Sequence, residues 1–113
     1  MIYYIKKRLE ISASHSLDLG YESPCRNLHG HNWIITVYCK SETLDVNGMV
    51  VDFAHISRNI KERLDHKNLN DVLSFNPTAE NIAYYLTTII ENCYRIDVQE
   101  TENSFAAYEV DEQ

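Results

Sequence analysis

An α+β fold is what the sequence predicts: a four-stranded antiparallel sheet in the chain order β-β-α-α-β-β, with two helices on one face. Three patterns carry that expectation. Two N-terminal segments alternate apolar and polar residues with period two, as half-buried strands do. Two central segments repeat apolar residues at helical spacing. Two short alternating runs close the chain.

The first strand covers about residues 2 to 14. Tyr3, Ile5, Leu9, Ile11 and Ala13 share a face with His15, and Tyr4, Lys6, Arg8, Glu10, Ser12 and Ser14 share the other, with Lys7 as the exception. Residues 16 to 28 contain Gly20, Pro24 and Asn27 and read as a loop. The second strand sets His29, His31, Trp33, Ile35, Val37 and Cys39 on one face. Asn47-Gly48 marks a turn. Asp52 is placed to cap a helix along which Phe53, Ile56, Ile60 and Leu64 recur. Residues 66 to 77 read as a second loop. Thr78 then caps another helix, with Glu80 in its first turn, where the dipole favours an acid. Its buried stripe is Ile82, Leu86, Ile89, Ile90 and Cys93. The closing strands span about 95 to 101 and 104 to 110, and Ile96, Val98 and Glu100 share a face. A sheet this small leaves two open edges, which pairing between subunits would remove.

Composition narrows the functional classes. A chain of 113 residues predicts one domain, 1–113. Its formal charge of −7 argues against a general nucleic-acid binder and against an anionic-membrane binder. Met1 leads into Ile2-Tyr3-Tyr4-Ile5 and only then Lys6-Lys7-Arg8, the wrong order for a secretory signal, and no run is long enough to span a membrane. Cys25, Cys39 and Cys93 are odd in number and lack C-x-x-C spacing, so a reducing cytoplasm is expected.

The chemistry concentrates in Cys25-Arg26-Asn27-Leu28-His29-Gly30-His31. Side chains at i and i+2 of a strand share a face, so His29 and His31 project together, about 7 Å apart at Cα. His15 ends the strand expected to face them. Three neutral imidazoles from two strands form a zinc site with one tetrahedral position open, as catalytic zinc requires. Cys25 precedes the pair, and a nearby cation would lower its thiol pKa and supply a thiolate. The competing reading makes Cys25 a fourth ligand and closes a structural site. Asp65-His66 follows the first helix, where a carboxylate beside an imidazole either tunes a proton shuttle or simply ends the helix. Glu100 continues an apolar face and needs a partner there, either solvent or the N–H edge of a guanine-like ring. His55 lies off the apolar stripe and reads as a surface residue, and Asp52, Thr78 and Glu80 are explained as helix-start residues.

Six motifs occur in one order: Ser14-His15, Cys25 through Asn32, Asp52-Phe53, Leu64-Asp65-His66-Lys67-Asn68-Leu69-Asn70, Asn76-Pro77-Thr78-Ala79-Glu80-Asn81 and Glu100-Thr101. From about residue 9 to residue 108 the chain resembles the 6-pyruvoyl-tetrahydropterin synthase family, and most of all its bacterial 6-carboxytetrahydropterin synthase branch, which serves queuosine synthesis. That resemblance implies the tunnelling fold, in which subunits join their sheets into a β-barrel and two trimeric rings stack into a hexamer with active sites between subunits. It implies zinc on His15, His29 and His31, Cys25 as catalytic base, Asp65 and His66 tuning proton transfer, and Glu100 anchoring the pterin, with Thr78 in the pterin pocket. The implied substrate is 7,8-dihydroneopterin triphosphate. The segment from Asp52 to His66 looks about one helical turn shorter than in relatives, and Ser57 stands where relatives often carry Lys, which leaves Arg26, Lys67 and Arg8 as candidate phosphate partners. Retention of Cys25 argues against the branch that uses glutamate at this position.

Overall fold

The structure, a computed structural model, describes residues 1–111. Strand β1 (Tyr3–His15) pairs antiparallel with β2 (His29–Ser41), β2 with β4 (Cys93–Thr101), and β4 with β5 (Ser104–Glu109). A two-residue strand β3 (Lys67–Asn68) lies parallel to β1 at Ala13 and Ser14, giving the order β3-β1-β2-β4-β5. The sheet is therefore five-stranded and mixed, where the sequence predicted four antiparallel strands. A two-residue strand has no periodicity to read.

Helices α1 (Phe53–Leu64) and α3 (Ala79–Ile89) form where their spacing predicted, and a single-turn helix α2 (Leu69–Val72) interrupts the expected loop. The caps are as expected: Asp52 Oδ1 accepts from the Ala54 N–H at 2.8 Å, and Thr78 Oγ1 from the Asn81 N–H at 3.1 Å. Asn68 caps α2 in the same way. Asn47-Gly48 does turn, with Gly48 at φ 80° and Asp45 Oδ1 accepting from the N–H groups of Asn47 and Met49.

Between the sheet and the helices lies one core. Leu9, Ile11, Ala13, Trp33, Ile35, Val37, Cys39, Ile96 and Val98 meet Ile56, Ile60 and Leu64 of α1 and Ile82, Ala83 and Leu86 of α3. Two stripe assignments need correction. Phe53 is exposed, because it opens α1 beyond the sheet-facing turns. Cys93 lies in β4, because α3 stops at Ile89 and Asn92 adopts a positive φ of 60° before the strand begins. His55 is exposed as expected. Among the described residues, β1 has no neighbour on its outer side before Ala13, and β5 has none on its outer side. Tyr3, Tyr4 and Phe105 are exposed on these two strands.

Candidate metal centre

Strand register creates the site. His15 lies directly opposite His29 in the β1–β2 ladder, and His31 lies opposite Ala13, one same-face step away. The three rings stack edge-to-face with centroids 4.6 Å (His15–His29), 4.8 Å (His29–His31) and 5.1 Å (His15–His31) apart. Trp33 floors the group at 4.9 Å from His15 and 5.2 Å from His31, and its indole N–H donates to the Ala13 carbonyl. His15 is completely buried, and His29 and His31 are half-buried.

Backbone carbonyls set the ring tautomers. Nδ1 of His15 lies 2.8 Å from the Pro77 carbonyl, and Nδ1 of His29 lies 2.7 Å from that of Asn27. A carbonyl only accepts, so Nδ1 carries a proton, and in the neutral ring Nε2 is then the nitrogen with the lone pair. That is the arrangement by which proteins orient metal-ligating imidazoles. The Nε2 atoms of His15 and His31 are buried without a hydrogen-bond partner. Glu100 Oε1 comes within 3.0 and 3.1 Å of them, but not in hydrogen-bonding orientation. One ligand atom each from His15, His29, His31 and Glu100 lie within 4.8 Å of one another. Orphaned imidazole nitrogens in buried sites are costly, and a divalent cation satisfies them together. Burial holds the His31 imidazole below its ordinary pKa; the Glu100 carboxylate opposes this, while His15 and His29 add to it. A neutral imidazole is the metal-binding form.

Glu100 makes a contact that the sequence argument did not include. Its position on the face of Ile96 and Val98 is as expected, but its carboxylate meets the imidazoles. The sequence carried no sign of this, because the pairing of β2 with β4 aligns the two elements only in three dimensions.

Cys25 sits on a short 3-10 turn, Pro24–Arg26, capped by Ser23, and is exposed. It is not in the group of mutually close ligand atoms. Two asparagines hold its loop. Asn70 Oδ1 accepts from the Ser16 N–H and its amide donates to the Ser16 carbonyl, and Asn76 does the same at Asp18. The Leu17 N–H then donates to the Cys25 carbonyl at 2.9 Å. Sequence reasoning did not single out these positioning residues, since an asparagine in a loop looks the same whether it clamps backbone or faces water. Replacing Asn76 with alanine removes both bonds at Asp18. Turnover is expected to fall about thirtyfold with metal content unchanged, at about 1 kcal/mol for each of the two lost bonds. Steady-state kinetics with metal analysis check this.

Asp65 and His66 lie elsewhere. Asp65 Oδ1 accepts from the Ser12 N–H at 2.9 Å, and the His66 N–H donates to the Ser12 carbonyl at 2.7 Å, so the pair grips the edge of β1. His66 has a positive φ of 58°, a conformation more common for His than for most non-glycine residues and concentrated at functional sites. Its ring is exposed, with Nε2 3.7 Å from Asp65 Oδ2. A depression of about 500 Å³ opens there, and its lining includes Ser12, Asn32, His66, Lys67 and also His31 of the histidine group. The side chains of Ser12, Ser14 and Asn32 alternate away from the imidazoles. Among the described residues no hydrogen bond or ion pair joins Cys25, the Asp65–His66 pair and the histidine group into one site. Thr78 is occupied as a helix cap, and Arg26 pairs with Glu22 at 3.0 Å.

Comparison with known proteins agrees with this geometry. The family model for 6-pyruvoyl tetrahydropterin synthase matches residues 4–111. The chain belongs to that family. It is 36% identical to the 6-carboxy-5,6,7,8-tetrahydropterin synthase of Synechocystis sp., over 95% of this chain and 93% of that protein. It is 30% identical to the 6-pyruvoyl tetrahydrobiopterin synthase of Homo sapiens, over 92% and 89%. The solved 6-pyruvoyl tetrahydropterin synthase of Caenorhabditis elegans superposes with a TM-score of 0.76 at 25% identity, covering 98% of this chain and 97% of that one. Membership in this synthase family makes pterin chemistry the frame for the site. No helix among the described residues is long and apolar enough to cross a membrane.

Proposed function

We propose that the chain is a zinc-dependent 6-carboxy-5,6,7,8-tetrahydropterin synthase, converting 7,8-dihydroneopterin triphosphate to 6-carboxytetrahydropterin, acetaldehyde and triphosphate for cytoplasmic 7-deazaguanine synthesis. The observation that carries the reading is the buried Nε2 atoms of His15 and His31 without hydrogen-bond partners, with Nδ1 of His15 and of His29 held on backbone carbonyls, in a chain of this family. The likeness to the Synechocystis protein supports the carboxy product.

His15, His29 and His31 would hold the ion. When bound, zinc supplies Lewis-acid polarisation of the substrate's side-chain hydroxyls. Cys25, exposed beside β2, takes the carbon-bound proton as a thiolate. Asp65 and His66 relay protons. Since no hydrogen bond or ion pair joins that pair to Cys25 among the described residues, we assign the two groups of a single site to different subunits, with Thr78 and Glu100 on the pterin side. The outer sides of β1 before Ala13 and of β5, unpaired among the described residues, support strand pairing between copies into a barrel, with two trimers forming a hexamer.

Glu100 tests the detail. Glu100→Gln keeps the shape and removes a charge about 3 Å from two candidate ligand nitrogens. Zinc affinity is expected to fall about tenfold, as for loss of a partner next to a metal ligand. A raised KM with unchanged zinc affinity would return Glu100 to anchoring the ring alone. The reaction itself is tested by incubating the protein with dihydroneopterin triphosphate and analysing products. Acetaldehyde release is expected. A retained three-carbon side chain would make the chain a 6-pyruvoyl-tetrahydropterin synthase instead. A purely structural zinc site closed by Cys25 is the weaker reading, because Cys25 lies outside the ligand group.

A further inference from the structure

Two of the three cysteines meet across the middle of the sheet. Strands β2 and β4 run in regular register from Ile34 opposite Gln99 to Tyr38 opposite Arg95. The next pair would be Cys39 and Tyr94, but a bulge shifts the register and sets Cys39 opposite Cys93. Tyr94, the extra residue, packs its ring 6.0 Å from Tyr4 and 6.2 Å from Tyr38. The bulge thereby turns Cys93 onto the core face that holds Cys39. Directly opposed residues of an antiparallel pair have Cα atoms about 4.5–5.5 Å apart, inside the span of about 4.4–6.8 Å that disulfides bridge.

Both thiols are free and sit opposite each other in the β2–β4 pair, and the Cys93 thiol donates to the Arg95 carbonyl at 3.4 Å. Their access differs. Cys39 is fully buried, whereas Cys93 opens β4 and is half-buried. Their acidity differs in the same sense. Interaction with the Cys93 sulfur and burial push the Cys39 thiol far up. Interaction with the Cys39 thiol, helped by backbone hydrogen bonds at Arg95 and Tyr38, holds Cys93 below its ordinary range against its burial.

We propose that Cys39 and Cys93 form a reversible oxidation site, in which Cys93 reacts with a low-molecular-weight disulfide and Cys39 resolves the adduct into a cross-strand bond. In the first step the Cys93 thiolate attacks one sulfur of the small disulfide; a mixed disulfide forms and one small thiolate leaves. In the second, Cys39 gives up its proton and its sulfur displaces the remaining small thiolate from Cys93. Two protein thiols lose two electrons and two protons, and the small disulfide takes them up as two thiols. The bond would tie the strand bearing His29 and His31 to the strand bearing Glu100.

The test exposes the folded protein to excess oxidised glutathione, counts free thiols and maps the cysteine peptides by mass. Cysteines number three. The Cys39 and Cys93 peptides are expected to become linked to each other, and dithiothreitol to free both. Cys39→Ala is expected to stop at a glutathionyl adduct on Cys93, and Cys93→Ala to leave Cys39 reduced. The proposal is overturned if the unsubstituted protein keeps Cys39 and Cys93 reduced while Cys25 is modified, or if the Cys93 adduct persists unresolved. The unsubstituted protein gives this answer alone, so a variant that fails to fold does not remove the test.

Discussion

Alanine at His31 is expected to strip the divalent cation from the protein while the chain stays folded. Metal analysis should drop to background, and thermal unfolding followed by circular dichroism should remain cooperative. His31 is the histidine to change. His15 is fully buried and bonded to the Pro77 carbonyl, so its loss would leave a cavity and an orphaned acceptor. His31 has a buried Nε2 without a hydrogen-bond partner, so removing it relieves an unsatisfied group. Removing only a neighbour of a metal ligand typically costs about 10–100-fold in affinity, so loss of a ligand should exceed that. A variant that keeps its metal at full affinity would show that His31 is a packed core residue.

The second large effect belongs to Cys25. Cys25→Ala is expected to lower turnover by about 10²–10⁴-fold, the usual contribution of a general base. Metal content and melting temperature should not move. The side chain is exposed, its loop is held by Asn70 and Asn76, and its sulfur is outside the group of candidate ligand atoms. Loss of metal together with the sulfur would make Cys25 a ligand and remove the open coordination position.

Much of this was legible in the sequence, for a physical reason. His15, His29 and His31 lie on strands long enough for period two to be unambiguous, and each continues an apolar face that must point inward. Their convergence then required only that consecutive strands pair. What escaped depends on contacts without a local pattern. β3 is two residues long and exists because Asp65 and His66 grip Ser12. The bulge opposite Cys39 is a one-residue slip between β2 and β4 that sets Cys93, already in β4 because α3 stops at Ile89, across from Cys39. Glu100 reaches the imidazoles only because β4 lies beside β2. The asparagine clamps at Ser16 and Asp18 join residues more than fifty positions apart.

The central claim is that three imidazoles hold one zinc ion and leave the Cys25 sulfur unbound. X-ray anomalous scattering at the zinc edge, on crystals of the ligand-free protein, tests it most directly. The expected result is one peak per chain, about 2.0–2.1 Å from Nε2 of His15, His29 and His31, with the Cys25 sulfur out of bonding range. Absence of the peak from crystals grown with zinc, or a peak bonded to the Cys25 sulfur, would contradict the account.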